Sequence, residues 1–137
     1  MSAMLKKIFV ASSDKSLSGK LRRVFPGDME FSFLEEKAGP NMIKKVLGGQ
    51  SNLLFMDFGY LHWLKDPRAK AKVIVTSNSY DLGREYLSAR LGANGFITRD
   101  IGVPSLKKAV NVVGSGQVWM TRAVSGIVFD EYRKIIR

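Results

Sequence analysis

The stretch Leu53-Leu54-Phe55-Met56-Asp57 decides the predicted fold, because an apolar run typical of a buried strand ends there in a carboxylate. Two later apolar runs end in a similar way: residues 73–75 are followed by Thr76, and residues 95–97 by Thr98 and Arg99. In an open parallel sheet, ligands bind at the edge formed by the C-terminal ends of the strands. We therefore expect a functional site around Asp57.

The length and composition indicate one ordinary globular domain, with 137 residues of which 45% are hydrophobic. The chain has no cysteine, which excludes disulfides and thiolate metal sites, and its single histidine, His62, excludes a polyhistidine metal cage. Residues 1–7 are too short for a signal peptide, and no apolar stretch approaches the roughly 18 to 20 residues of a membrane span. We expect a cytoplasmic protein that does not enter the membrane.

The charge is strongly basic, with 22 Lys and Arg against 12 Asp and Glu and a formal net charge of +10. Such a balance favours nucleic acid or an acidic protein as partner. The alternative is that each basic pair lies on the solvent face of an amphipathic helix, and no recognised nucleic-acid motif accompanies the pairs. Direct nucleic-acid binding is therefore the lesser hypothesis. The pairs are Lys6-Lys7, Arg22-Arg23, Lys44-Lys45, Lys107-Lys108 and Arg133-Lys134.

Short apolar runs alternate with segments of helical periodicity along most of the chain. The first helix carries Leu17, Leu21, Val24 and Phe25 on one face. The alternation implies crossover connections and a parallel sheet covered on both faces, which is a doubly wound, flavodoxin-like α/β fold with five strands. The predicted strands are 7–11, 29–34, 52–56, 72–75 and 95–97; the predicted helices are 15–25, 40–47 with Met42, Ile43, Val46 and Leu47 inward, 82–91 with Leu82, Tyr86, Leu87 and Leu91, and 104–113, whereas 61–70 is ambiguous and interrupted by Pro67.

The C-terminal residues 118–136 predict one more amphipathic helix. We therefore divide the chain into an α/β domain over residues 1–116 and a C-terminal helical extension or linker over residues 117–137. Because the core is already closed without it, the apolar face of this helix needs a partner, and a homodimer is one candidate. The apolar residues at helical intervals are Met120, Val124, Ile127, Val128, Tyr132 and Ile135.

The segment Gly92-Ala93-Asn94-Gly95-Phe96-Ile97-Thr98-Arg99-Asp100 is similar to the Gly-Ala-x-Gly-Tyr-Leu-x-Lys-Asp stretch of bacterial two-component response regulators. The chain resembles their receiver domain, and the Nar/Lux-type transcription factors in particular, with Gly116 and Trp119 matching the segment after the last receiver helix. The resemblance implies that Asp57 is the phosphate acceptor, Thr76 the hydroxyl residue that contacts the phosphoryl group, and Phe96 the aromatic switch residue. It also implies a histidine kinase or another signalling protein as partner.

The predicted acidic pocket departs from that family. Receiver domains carry two adjacent acidic residues after the first strand, which hold a magnesium ion together with the acceptor, whereas this chain has Ser12 and Ser13 there. Magnesium prefers carboxylate and phosphate oxygens, so Asp57 alone would be a weak metal ligand. Asp14, one position beyond, either reaches into the pocket or caps the first helix.

Two further departures concern the surroundings of Asp57. The lysine of the family is replaced by Arg99, which either pairs permanently with Asp57 or points to solvent. The segment between Asp57 and Thr76 is short, which predicts a truncated or partly unwound third helix.

The predicted function is that of a pseudo-receiver, in which phosphorylation of Asp57 is weak or absent, no cofactor is required and protein–protein contacts act in transcriptional regulation. The alternatives are a conventional receiver, in which Asp14 or water completes the magnesium shell, and a basic nucleic-acid-binding module. We do not expect an enzyme, because no set of nucleophile, base and orienting residue can be assembled with one histidine and no cysteine.

The Nar/Lux-type transcription factors carry a helix-turn-helix DNA-binding domain after the receiver, and the residues after Tyr132 are too few to form one. We therefore expect either a stand-alone receiver or a piece of a transcription factor whose linker begins near Val118.

Overall fold

The computed structural model describes residues 7–25, 27, 30–33, 40–50, 52–64 and 69–136. Its five strands form one sheet, all parallel, in the order β2-β1-β3-β4-β5. The predicted flavodoxin-like α/β fold is confirmed, while Met29, Leu34 and Pro67 lie outside the described residues. The strands are β1 Lys7–Ala11, β2 Glu30–Phe33, β3 Asn52–Asp57, β4 Lys72–Ser77 and β5 Gly95–Thr98; the helices are α1 Lys15–Val24, α2 Pro40–Leu47, a 3₁₀ helix Phe58–Leu64, α3 Leu82–Arg90, α4 Val103–Gly114 and α5 Arg122–Ile135.

The central strand β3 is buried on both faces, which explains its uninterrupted apolar sequence. Successive side chains of a strand point to opposite sides of the sheet. Leu53 and Phe55 therefore pack with α1 and α4, whereas Leu54 and Met56 pack with α2 and the 3₁₀ helix. Asp57 ends the strand between these two layers, at the carboxyl edge of the sheet.

The third helical element was predicted to be truncated or partly unwound, and the structure has a short helix of seven residues. It is a 3₁₀ helix whose buried residues, Leu61 and Leu64, are three positions apart. That spacing matches the three residues per turn of a 3₁₀ helix and places both side chains on the sheet side. Tyr60 and Trp63 stack at 4.8 Å between ring centroids on the same element.

Two helices present faces that differ from their predicted ones. In α2, Ile43 is buried but Met42 is 47% exposed, because it lies at the edge of the apolar face, about 100° from Ile43. In α3, Leu82 and Leu87 are exposed, whereas Glu85 is buried. The buried side of α3 is polar because it faces hydrogen-bond donors rather than the apolar core, as described below.

The C-terminal helix begins later than predicted, so the prediction of helix for residues 118–121 was wrong. Gly116 has a φ of +92°, which turns the chain back towards the sheet. The backbone of Trp119 then lies along β5, where its carbonyl accepts from Phe96 N at 3.0 Å and its N–H donates to Asn94 O at 2.9 Å. Thr121 caps the helix, since its side chain accepts from Val124 N.

Helix α5 packs against α3 and leaves much of its apolar surface exposed. Val124 is fully buried, and the Tyr86 hydroxyl donates to Glu131. Among the described residues, no helix is long and apolar enough to cross a membrane. Large apolar side chains of the C-terminal segment that remain exposed are Val118, Ile127, Phe129, Tyr132, Ile135 and Ile136.

Candidate functional site

The predicted meeting of polar residues at the carboxyl edge of the sheet is found around Asp57. Asp57 and Thr76 are directly opposite each other in the register of β3 and β4. The Thr76 hydroxyl donates to Asp57 Oδ1 at 2.5 Å, and both residues are buried, at 1% exposure for Thr76 and 8% for Asp57. Strand pairing alone therefore positions the hydroxyl on one carboxylate oxygen.

The other carboxylate oxygen of Asp57 is held by the loop after β1 and by the residue after β5. Asp57 Oδ2 accepts from Ser13 N at 3.0 Å and from Arg99 Nη2 at 3.2 Å, and the Ser13 hydroxyl lies 3.4 Å away. Of the two orientations predicted for Arg99, the structure therefore has the ion pair. Every described contact of this carboxylate is with a hydrogen donor.

The backbone of Arg99 is fixed from two sides. Its N–H donates to Ser77 O at 2.9 Å, and its carbonyl accepts from Lys20 Nζ at 2.8 Å. Among the described residues, Arg99 Nε is buried and has no hydrogen-bond partner. The guanidinium is thus positioned by its backbone and by the contacts of Nη2 with Asp57 and the Ser13 hydroxyl, while its buried Nε donor is unused.

Ser12 and Asp14 make local contacts instead of joining the carboxylate. Asp14 Oδ1 accepts from Ser16 N at 3.0 Å and from the Ser16 hydroxyl at 2.7 Å, which caps α1. Ser12 Oγ accepts from Asp14 N at 3.0 Å. Asp14 Oδ2 is buried without a partner among the described residues. Of the two positions predicted for Asp14, the structure has the helix cap.

A cavity of about 350 Å³ opens beside Asp57, on the side of α3. Arg84 reaches it from α3, where its Nη1 donates to Ser77 Oγ at 3.2 Å and its guanidinium lies 5.0 Å from the centre of the Phe58 ring. The sequence analysis missed Arg84, because an arginine in the first turn of a helix gives no signal of where it points. The cavity is lined by Asp57, Phe58, Gly59, Tyr60, Thr76, Ser77, Asn78, Arg84 and Arg99.

Phe96 lies in the core rather than at the cavity. It is 5% exposed, packs with the residues under α2 and the 3₁₀ helix, and meets the Tyr80 ring edge-on at 6.3 Å. The structure thus places the predicted switch residue inward, one strand position from Ile97 and away from Asp57.

A second buried carboxylate, Glu85, was missed by the sequence analysis. It is 1% exposed, and its Oε1 accepts from the Tyr80 hydroxyl at 2.8 Å and from the Thr121 hydroxyl at 2.7 Å. Its Oε2 accepts from Thr121 N at 2.7 Å. Because Thr121 caps α5, Glu85 ties the start of the C-terminal helix to α3. The sequence did not predict this contact, because Thr121 fell within the helix predicted for residues 118–136.

Metal-binding groups are sparse around both carboxylates. The described part of the chain contains no group of three or more His, Cys, Asp or Glu residues that could hold a metal ion. Asp57 is surrounded by hydroxyl, amide and guanidinium donors, and Glu85 by hydroxyl and amide donors.

Comparison with known proteins finds similarity in structure. No family model matches the sequence, and no curated protein matches it. A response regulator from Thermotoga maritima has a TM-score of 0.65 and 18% identity, covering 82% of this chain and 99% of the other. A LuxR family DNA-binding response regulator from Silicibacter pomeroyi has a TM-score of 0.63 and 21% identity, covering 87% and 99%.

The isolated REC domain of RcsB from Salmonella enterica serovar Typhimurium is similar as well. Its TM-score is 0.64 at 14% identity, over 90% of this chain and 98% of that domain. At these identities the likeness is one of fold, and it agrees with the five-stranded parallel sheet. The chain therefore has the fold of response-regulator receiver domains.

Proposed function

We propose that the protein is a pseudo-receiver: a cytoplasmic signalling domain in which Asp57 is paired with Arg99 instead of with a metal ion. In this proposal, phosphorylation of Asp57 is weak or absent, and the domain acts in transcriptional regulation through contacts with other proteins. The observation that carries the proposal is the 3.2 Å contact between Arg99 Nη2 and Asp57 Oδ2. The receiver fold supports the signalling class, and the likeness to LuxR-type regulators supports the regulatory setting.

The donor set around Asp57 does not fit a magnesium ion. Magnesium takes oxygen ligands in a near-ideal octahedron, usually with one or two carboxylates. Here Ser13 supplies an N–H to the carboxylate oxygen, and Arg99 supplies a positive charge to the same oxygen. A divalent cation at that oxygen would meet electrostatic repulsion from the guanidinium. The positive charge that neutralises Asp57 is already part of the protein.

Phosphoryl transfer to Asp57 is disfavoured by the same contacts. Transfer requires a free carboxylate oxygen in line with the donor and cations that neutralise the charge on the phosphoryl oxygens. In this site Oδ1 is bonded by Thr76, and Oδ2 by Ser13 and Arg99. These bonds stabilise the resting carboxylate, so attack on a phosphoryl group would require Arg99 or Thr76 to leave.

The exposed apolar side of α5 supports signalling through protein contacts. Phe129 is 60% exposed and Tyr132 is 59% exposed on that helix. Contiguous apolar surface of this kind is typical of interaction sites. The expected partner is another signalling protein, such as a histidine kinase, or a second copy of the chain. Light scattering of the full chain and of a Phe129→Ser, Tyr132→Ser variant distinguishes these possibilities. If the wild-type protein is a dimer and the variant is a monomer, the partner is a second copy of the chain.

The decisive experiment is incubation with acetyl phosphate and magnesium, followed by intact mass. We expect no stable phosphoryl adduct on the wild-type protein. A Ser12→Asp, Ser13→Asp variant restores the acidic pair and is expected to gain one adduct, which adding Asp57→Ala removes. That gain would show that a metal held by the restored carboxylates can displace Arg99 from Asp57, so that the missing carboxylates leave Asp57 paired. A stable adduct on the wild-type protein, absent from Asp57→Ala, would contradict the proposal.

A conventional receiver is the second candidate, and one observation favours it. Asp14 Oδ2 is buried close to the start of α1 without a hydrogen-bond partner among the described residues. Rotation of this side chain would offer a second carboxylate to a metal. Titration calorimetry with magnesium tests this: binding at millimolar metal that is lost in Asp14→Asn would favour the conventional receiver, and no heat of binding would favour the pseudo-receiver.

A further inference from the structure

Helices α1 and α4 lie side by side on one face of the sheet and form a surface with an unusual charge. Their inner sides share one core cluster, to which Leu17 and Leu21 contribute from α1 and Leu106 and Val113 from α4. Neither helix contains an aspartate or a glutamate. The nearest acidic residues in sequence precede each helix, at its N-terminal end. The outer sides of the two helices therefore form one surface without carboxylates of its own, which we call the α1–α4 face.

The α1–α4 face carries a row of exposed cations. Lys15 and Arg23 project from α1, and Lys107 and Lys108 from α4, and all four are exposed. At 100° per residue, Lys15 and Arg23 lie on the side of α1 opposite Leu17, so core packing holds the charges outward. Lys20, also on α1, is engaged at the Arg99 carbonyl.

The other exposed side chains of the α1–α4 face are mainly polar. Within Lys15–Val24 and Val103–Gly114, which the structure describes in full, no large apolar side chain is exposed. Ser105 and Asn111 of α4 are also exposed, whereas the Ser16 hydroxyl of α1 is engaged by Asp14. Protein interfaces have an apolar core and membrane-binding helices an apolar face, so this surface fits neither. Cations mixed with hydroxyl and amide donors are the groups that contact the phosphates of nucleic acids.

We propose that the α1–α4 face binds the phosphate backbone of nucleic acid without reading its sequence. This function lies outside the pseudo-receiver proposal, because it assigns a ligand to four cations that neither the Asp57 site nor the apolar side of α5 uses. Neither helix exposes an aromatic side chain that could stack on single-stranded bases, so duplex DNA is the expected ligand. The binding energy comes from release of counterions by the cations, and affinity therefore falls steeply with salt.

The test is fluorescence anisotropy of a short labelled DNA duplex of mixed sequence, titrated with the full chain at several salt concentrations. The test variant replaces Lys15, Arg23, Lys107 and Lys108 with Gln. The matched control replaces Lys44, Lys45, Lys134 and Arg122 with Gln, which are also exposed and also three lysines and one arginine. Both variants lower the net charge of +10 by four. Circular dichroism checks that each variant is folded.

We expect the wild-type protein to bind the duplex at low salt, and the test variant to reduce the slope of log affinity against log salt by roughly 3 to 4. The control variant should retain most of that slope. Equal losses in both variants would show attraction by net charge alone and would overturn the proposal. Absence of wild-type binding at low salt would overturn it as well. So would binding to phosphatidylserine vesicles that depends on the four cations when duplex binding does not.

Discussion

Two carboxylates are buried among the described residues, Asp57 and Glu85, and they have different partners. Each lines a cavity, of about 350 Å³ at Asp57 and about 330 Å³ at Glu85, but Asp57 meets a guanidinium, whereas the contacts of Glu85 are with Tyr80 and Thr121, which are neutral donors. A buried carboxylate is costly unless its oxygens are fully hydrogen-bonded, and bonds to a charged acceptor are roughly twice as strong as neutral ones. The first arrangement brings a charged side chain to the carboxylate, while the second holds α3 and the start of α5 together.

The positions of the two residues explain this difference. Asp57 ends β3 at the carboxyl edge of the sheet, where the side chain of Arg99, which follows β5, reaches its Oδ2. Glu85 lies on the inner side of α3, where the start of α5 covers it. The Glu85 carboxylate accepts hydrogen bonds from the Thr121 N–H and from the hydroxyls of Thr121 and Tyr80. Glu85 therefore determines where the C-terminal segment docks.

The largest effect is expected from Glu85→Ala, which breaks the contact that defines the second carboxylate. It removes three hydrogen bonds and leaves the donors of Thr121 and Tyr80 without their acceptor, so we expect a loss of about 3 kcal/mol in unfolding free energy. Urea denaturation measures this loss. Hydrogen exchange should show faster exchange of amides in residues 118–135.

Glu131→Ala is the matched control for that experiment. It also removes a glutamate contact between α3 and α5, with Tyr86, but at the surface. Exposed pairs of this kind contribute about 0 to 1 kcal/mol, so the control should remain close to wild type. Equal losses of unfolding free energy in the two variants would mean that burial does not strengthen the contacts of Glu85. The claim that Glu85 determines where the C-terminal segment docks would then be wrong.

A smaller effect is expected at Asp57, and a double-mutant cycle of Asp57→Asn and Arg99→Gln measures it. The Arg99 side chain is 31% exposed, so solvent screens part of its attraction for Asp57. We expect a coupling of about 1 kcal/mol between the two residues in unfolding free energy. A coupling near zero, measured by urea denaturation of all four proteins, would remove the ion pair as the basis of the pseudo-receiver proposal.

The sequence predicted the first carboxylate site because strand register carries the information. Asp57 and Thr76 end neighbouring parallel strands, and Arg99 follows the next strand, so their convergence follows from the fold. The sequence could not choose between the two orientations of Arg99, since both satisfy its charge. That choice depends on backbone contacts such as the one between Lys20 and the Arg99 carbonyl.

The second carboxylate site was not predictable, because the helical periodicity of α3 predicts a different buried face. Helical periodicity assigns the apolar Leu82 and Leu87 to the core and leaves Glu85 outside. The structure reverses this because Thr121, 36 residues later, returns to α3 with its donors directed at the carboxylate. The position of this segment also explains why α5 starts later than predicted. The apolar spacing from Met120 onward fits a helix, but the N–H and carbonyl of Trp119 hydrogen-bond to β5 and are therefore not available to a helix.

The smallest effect concerns alkaline pH at the surface contact between α3 and α5. The hydrogen bond to Glu131 raises the pKa of Tyr86 above its ordinary value of 10.0, helped by desolvation and opposed by the charge of Arg90. Because the folded pKa is raised, the stabilisation from this contact is fully present below pH 10.0 and is lost as pH rises through the higher folded value. Ionised Tyr86 can no longer donate and repels Glu131. The docked position of α5 should therefore loosen in strong alkali, and amide exchange of residues 122–135, compared with Tyr86→Phe, measures this. Tyr86→Phe lacks the ionisable group. If both proteins respond identically to alkali, the loss of stability arises at another group, for example Tyr80. The buried Glu85 contact would then be the one that holds α5 in place.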